Sequence, residues 1–178
     1  TICSLINGSI RNHGNHPALA YADGDVNISY SVLGEKIEDI AAVLYTLGIR
    51  KNDKVAILGE NMPNWGISYL SVLCMGAVAV PILPEFHENE VKSILEHSES
   101  KAIFITKKQY EKQRNIFHKS DMTIIILDDF QLLDSDPEKE LIGESFSFSS
   151  MQKEVREEDL AAIIYTSGTT GSSKGVML

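Results

Sequence analysis

Val55-Ala56-Ile57-Leu58, a segment of helical spacing from about Pro63 to Met75, and then Ala77-Val78-Ala79-Val80 decide the fold. The two apolar runs do not alternate with polar residues, which is how a strand looks when both of its faces are covered. A helix between two such strands supplies the crossover that parallel neighbours need. The pattern then repeats: Val91, Ile94 and Leu95 mark a short helix, Ala102-Ile103-Phe104-Ile105 a strand, Gln109 to about Phe117 a helix, and Thr123-Ile124-Ile125-Ile126-Leu127 a strand. Ala161-Ala162-Ile163-Ile164-Tyr165 is the last strand expected. The fold class is therefore α/β, a mainly parallel sheet flanked by helices on both faces.

Upstream, Ala18-Leu19-Ala20-Tyr21 and Val26-Asn27-Ile28-Ser29 flank Asp23-Gly24, a dipeptide that tolerates the positive φ of a tight turn, so a small N-terminal β-hairpin is expected. From Ser31 to Leu47 the residues Leu33, Ile37, Ile40, Ala41, Leu44 and Leu47 recur at helical spacing. Ser31 is placed to cap that helix and Gly48 to stop it. Gly76 is read as ending the next helix, and Pro81 as ending the strand that follows.

A chain of 178 residues with 43% apolar composition can bury one medium core. Its longest apolar stretch, Ala77 to Pro84, falls far short of the roughly 20 residues that cross a bilayer. With no export signature near the start, a cytoplasmic location is the default. Cys3 and Cys74 lack metal-ligand spacing and are expected to be reduced and structural. The net charge of −9 argues against a nucleic-acid surface, which needs a clustered basic face. The acidity is concentrated between Asp128 and Asp159, where eleven acidic residues face Lys139, Lys153 and Arg156, a local balance of −8. With Asp134-Ser135-Asp136-Pro137 and the Ser-Phe-Ser-Phe-Ser-Ser of 145–150, residues 128–159 read as an acidic, solvated connecting segment.

Chemistry is concentrated at the end, in Tyr165-Thr166-Ser167-Gly168-Thr169-Thr170-Gly171-Ser172-Ser173-Lys174-Gly175-Val176-Met177-Leu178. A buried strand leads into small hydroxyl and glycine residues with one lysine. Glycines let backbone N–H groups approach anionic oxygens, hydroxyls add donors, and the lysine adds charge, a combination suited to polyphosphate; a flexible surface loop is the alternative. The run is not a P-loop, because no Gly-x-x-x-x-Gly-Lys precedes a Ser or Thr. Nor is Gly168-Thr-Thr-Gly171 the Gly-x-Gly-x-x-Gly of dinucleotide folds.

The run instead resembles the phosphate loop of the adenylate-forming (AMP-binding) superfamily, which includes acyl-CoA synthetases, luciferases and peptide-synthetase adenylation domains. Their pattern is Tyr-Thr-Ser-Gly-[Ser/Thr]-Thr-Gly-x-Pro-Lys-Gly-Val, and the chain departs from it at Ser173, where proline is usual. Loss of that proline is expected to loosen the loop somewhat, since proline restricts itself and the residue before it. Further blocks resemble the family in order: Ile28-Ser29-Tyr30-Ser31-Val32-Leu33, Leu47-Gly48-Ile49, Asn52-Asp53-Lys54-Val55-Ala56-Ile57, Asn61-Met62-Pro63-Asn64-Trp65, and Met75 to Pro81. Asn52 stands where the family has glycine.

The resemblance implies the N-terminal part of an adenylation domain over residues 1–178. It implies a ligase that activates a carboxylic acid with ATP to an acyl-adenylate and pyrophosphate, then transfers the acyl group to coenzyme A. Carried over residue by residue, Thr166, Ser167, Gly168, Thr169, Thr170, Gly171 and Lys174 cradle the phosphates, with Mg2+ bound to ATP; no residue is assigned as a metal ligand or as catalytic. Pro81-Ile82-Leu83-Pro84-Glu85-Phe86 resembles long-chain fatty-acid–CoA ligases. Such a parent has carboxylic acid, ATP and coenzyme A as partners and can associate peripherally with membranes. Family blocks for the base, for magnesium and for a C-terminal catalytic lysine lie beyond residue 178, so the segment alone is expected to be non-catalytic. An adenylation domain for an amino or aryl acid with a carrier-protein thiol, and a non-catalytic module reusing the subdomain, are the alternatives.

Histidines add little at this level. His13 and His16 are separated by Gly14 and Asn15, which makes a zinc-binding helix face improbable, and His87, His97 and His118 are isolated. Trp65 and Tyr69 at helical spacing read as core.

Overall fold

The computed structural model describes residues 1–21, 24, 27–117, 122–133, 146–166 and 174–178. In chain order the elements are α1 (Ile2–His13), β1 (Pro17–Ala20), β2 (Asn27–Ser29), α2 (Tyr30–Thr46), β3 (Lys54–Leu58), α3 (Pro63–Cys74), β4 (Val78–Ile82), α4 (Glu88–Ser98) and β5 (Ala102–Ile105). They continue with α5 (Lys107–Lys112), α6 (Arg114–Phe117), β6 (Thr123–Ile126), β7 (Leu132–Leu133), α7 (Phe148–Glu154), β8 (Ile163–Thr166) and β9 (Lys174–Met177).

The main sheet has the order β4-β3-β5-β6-β7, parallel through β6, with β7 antiparallel at the edge. Successive strand residues point to opposite faces, and each face finds its own apolar layer. Val55 and Ile57 of β3, Phe104 of β5 and Ile125 of β6 face one core, shared with Ile37 and Leu44 of α2 and Ile67 and Val72 of α3. Ala56, Leu58, Ile103, Ile105, Ile124 and Ile126 face the other, shared with Val91, Ile94 and Leu95 of α4 and Phe117 of α6. Helices therefore cover both faces, as the uninterrupted apolar runs require. Cys3 of α1 and Cys74 of α3 are free thiols buried in the first core.

β1 and β2 pair antiparallel, and Gly24 between them has φ +80 with its N–H donating to the Tyr21 carbonyl at 2.9 Å. Asp23, the other half of the expected turn, lies outside the described residues, as do His118, Asp134 to Pro137 and Ser145. Gly48 and Gly76 close α2 and α3 with φ +85 and +75, the left-handed region glycine enters without cost.

Several expectations need correction. The cap of α2 is Ser29, whose Oγ accepts from the Val32 N–H at 3.3 Å, because the helix begins at Tyr30, two residues earlier than a cap at Ser31 implies. Pro81 does not end β4 but sits inside it opposite Ile57; β4 lies at the end of the five-strand order, where a missing N–H is tolerated. The helix expected over 109–117 is two short ones, α5 and α6, with Gln113 between them. The strand near 162 does not extend the main sheet. It pairs antiparallel with β9 and meets β4 at one parallel bridge, Ala79↔Ala162, beside the Ala79 N–H to Ala161 carbonyl bond of 2.9 Å.

The 128–159 stretch is also not solvated throughout. β7 completes the sheet edge, and Phe146, Phe148, Met151 and Val155 in and around α7 pack against the first core. Each anchor is separated by serine or charge, so the apolar spacing is thin, and the half-buried rings of Phe146 and Phe148 supply the aromatic contact with the first core. No helix among the described residues is long and apolar enough to cross a membrane.

Moving the cap from Ser31 to Ser29 has a measurable consequence. Ser29→Ala should lower stability by about 1 kcal/mol, while Ser31→Ala should change it by less than about 0.5 kcal/mol. Urea denaturation midpoints of the two variants check this, and equal effects would place the cap elsewhere.

Candidate functional site

In the β8–β9 hairpin, Ile163 faces Met177, Ile164 faces Val176, Tyr165 faces Gly175 and Thr166 faces Lys174. Opposed residues of an antiparallel pair share a sheet face, and neighbours alternate. Tyr165 thus turns inward, 3% exposed within the second core, while Thr166 and Lys174 sit side by side on the opposite, exposed face. Of the sequence-derived site residues, these two are placed, and the register brings them together. Ser167, Gly168, Thr169, Thr170 and Gly171 lie outside the described residues.

Position in the sheet follows from the bridge to β4. From Ala162, β8 runs in the direction of β4, which carries Thr166 toward the carboxyl ends of the parallel strands. Open α/β sheets bind ligands at that edge, most often where strand order reverses. Here the reversal lies between β3 and β5, since the chain steps from β3 to β4 on one side and returns to β5 on the other.

At that reversal, Glu60 just past β3 accepts hydrogen bonds from Lys108 Nζ at 2.7 Å, Thr106 Oγ1 at 3.1 Å and Gln109 Nε2 at 3.2 Å. These donors, Lys108 foremost, hold the Glu60 carboxyl down at about 2. Burial pushes the Tyr165 phenol above its ordinary value. Its hydroxyl lies 2.7 Å from Nδ1 of His97 in the last turn of α4, with the rings edge to face at a centroid distance of 5.8 Å. Nothing in the sequence singled out His97, because its partner is 68 residues away.

Gly175 is required by space. A Cβ there would lie 2.9 Å from Ile163 Cγ2, and 3.2 and 3.3 Å from Cζ and Cε1 of the Tyr165 ring. The glycine lets the tyrosine ring lie across the opposing strand.

The family profile described as AMP-binding enzyme matches residues 7–178. The chain belongs to that family. It is 29% identical over 180 residues to a 3-[(3aS,4S,7aS)-7a-methyl-1,5-dioxo-octahydro-1H-inden-4-yl]propanoyl:CoA ligase of Rhodococcus jostii strain RHA1, covering 89% of this chain and 34% of that one. It is 31% identical over 180 residues to surfactin synthase subunit 2 of Bacillus subtilis strain 168, covering all of this chain and 5% of that one. Among solved structures, the inhibitor-bound N-terminal domain of FACL13 from Mycobacterium tuberculosis superimposes with a TM-score of 0.77 at 25% identity, covering 99% of this chain and 44% of that one. The chain thus spans about a third or less of the length of these two curated relatives. The α/β architecture is that of the N-terminal region of adenylate-forming enzymes.

Two outcomes test the site geometry. Gly175→Ala should cost about 1–3 kcal/mol, because the Tyr165 ring and Ile163 must both move, and a thermal melt equal to that of the parent would remove the steric requirement. Glu60 is ionised in the fold well below the 4.5 of a free carboxyl, so its stabilisation is complete above about pH 4.5 and fades as pH falls toward about 2. Glu60→Gln should flatten that acid limb in urea titrations. The difference should shrink in high salt, since the side chain is 41% exposed.

Proposed function

We propose that the chain is the N-terminal, phosphate-binding part of the adenylation domain of a ligase that activates a carboxylic acid with ATP and passes the acyl group to the thiol of coenzyme A. The observation that carries this reading is the register that sets Thr166 against Lys174 at the two ends of the Ser167–Ser173 run, at the carboxyl edge of the sheet. A hydroxyl and an ammonium side by side suit phosphate oxygens. The glycines and hydroxyls of the Ser167–Gly171 run supply further donors of the same kind.

A carboxylate oxygen of the acid attacks the α-phosphorus, and the bond from that phosphorus to the bridging oxygen breaks. Pyrophosphate leaves with the electron pair, and the acid becomes an acyl-adenylate. Lys174 and Thr166 act on the leaving group, where negative charge grows, so they lower the barrier rather than merely hold the nucleotide. In the second step a thiol sulfur attacks the acyl carbon, losing its proton, and AMP departs. Magnesium, when bound, neutralises phosphate charge. Among the described residues no group of three or more His, Cys, Asp or Glu could hold a metal ion. The donors of this hairpin suit the phosphates, and the ion would arrive with ATP.

The similarity to a CoA ligase supports coenzyme A as acceptor, and we take the acid to be a fatty acid from the Pro81–Phe86 segment. Similarity to a surfactin synthase subunit supports a second reading, an amino acid as substrate and a carrier-protein thiol as acceptor. Two buried free thiols fit a reducing, cytoplasmic setting.

The protein expressed from its complete reading frame tests the reading. Lys174→Ala, and Thr169→Ala with Thr170→Ala, should slow single-turnover acyl-adenylate formation roughly a hundredfold, about 3 kcal/mol of barrier, with the fold intact. Parental rates with unchanged ATP affinity would remove the phosphate assignment. Pyrophosphate exchange across fatty, aryl and amino acids, followed by acyl transfer to coenzyme A or a carrier protein, separates the two readings.

A further inference from the structure

We propose that His97 is a positioning residue for the phosphate-binding hairpin, acting through the Tyr165 hydroxyl. The inference rests on the phosphate-binding reading of that hairpin. A two-stranded ribbon is marginal by itself and needs to be tied down. Its base is held to β4 by the Ala79↔Ala162 bridge and by the Ala79 N–H donating to the Ala161 carbonyl at 2.9 Å. At its loop end, the hydrogen bond that ties the hairpin to the main fold, among the described residues, is the 2.7 Å contact between Tyr165 and His97 Nδ1.

The two ends of that bond differ in rigidity. α4 is anchored by Val91, Ile94 and Leu95, all buried against the sheet, so it offers His97 as a fixed post. Tyr165 is adjacent to Thr166 along the strand, and Gly175 opposite it is adjacent to Lys174. Because side chains alternate, locking the tyrosine inward sets the face on which Thr166 and Lys174 stand. A tyrosine needed for packing alone could be phenylalanine. Its hydroxyl, carried on a ring buried among apolar neighbours, finds the imidazole as its partner. His97 touches neither Thr166 nor Lys174 by any hydrogen bond or ion pair, so its effect is exerted through the ring it holds.

The test is a double-mutant cycle in the protein expressed from its complete reading frame, read by single-turnover adenylation across ATP and acid concentrations. His97→Ala and Tyr165→Phe should each lower kcat/KM for ATP about fivefold, the size of one lost hydrogen bond, and leave KM for the acid unchanged. The double variant should lose about the same fivefold, because both changes break one bond. His97→Asn, which keeps an amide near the position of Nδ1, should recover most of the loss. His97→Ala and Tyr165→Phe should both remain folded at the assay temperature, since one lost hydrogen bond, the same fivefold in an equilibrium, costs only about 1 kcal/mol. Unaffected single variants, a multiplicative double variant near 25-fold, or a His97→Asn as slow as His97→Ala would overturn the proposal. Lys174→Ala is the reference: if it is slowed while the His97 variants are not, positioning fails and phosphate binding stands. If Lys174→Ala also matches the parent, the phosphate reading falls, and this inference with it.

Discussion

A parallel sheet covered on both faces cannot turn to water for its backbone hydrogen bonds, so its central strands must be apolar on both sides and paired on both edges. β3 and β5 meet that demand with no exposed residue between Val55 and Leu58 or between Ala102 and Ile105. Within β3 and β5, polar side chains are displaced to the strand ends. Glu60, Thr106 and Gln109 gather past the carboxyl ends of β3 and β5, and Lys51, Asp53 and Lys101 lie at the opposite end, with Lys101 Nζ 2.7 Å from Asp53. The polar cluster at the carboxyl edge follows from the apolar demand of the two central strands.

That same constraint explains what was legible in the sequence. β3, β5 and β6 show as unbroken apolar runs because two-sided burial erases alternation, and α2 shows because six apolar residues repeat at its spacing. α1 has helical spacing in Cys3, Ile6 and Ile10, but its stripe is thin: Cys3 is its one buried residue, Ile6 only partly packs against the first core, and polar Asn7, Arg11 and Asn12 share the helix. α7 was hidden for a related reason. Its anchors Phe148 and Met151 stand among serine, glutamine and charge, and their burial depends on a surface that α2 and the first core create. Local propensity cannot report a helix whose stability comes from tertiary packing.

The partner strand β9 was illegible for another reason. Lys174-Gly175-Val176-Met177 has neither alternation of burial nor length, and every residue in it is exposed. Its pairing is dictated by β8, whose Tyr165 needs a residue opposite that offers no Cβ. Without knowledge of that ring, Gly175 looks like one more glycine of a flexible loop.

Two kinds of requirement are therefore written into the fourteen terminal residues. Tyr165 and Gly175 answer to packing, one ring filling the space the opposite residue leaves, and they fix register whether or not a nucleotide is bound. Thr166 and Lys174, one position closer to the turn on each strand, are exposed and answer to no core. A mismatch at the packing pair would shift the polar pair even if every phosphate-binding residue were kept. It follows that the specificity of such a run resides as much in the residues that seat it as in those proposed to touch the ligand, and that its reach extends to α4 through a single phenol hydroxyl.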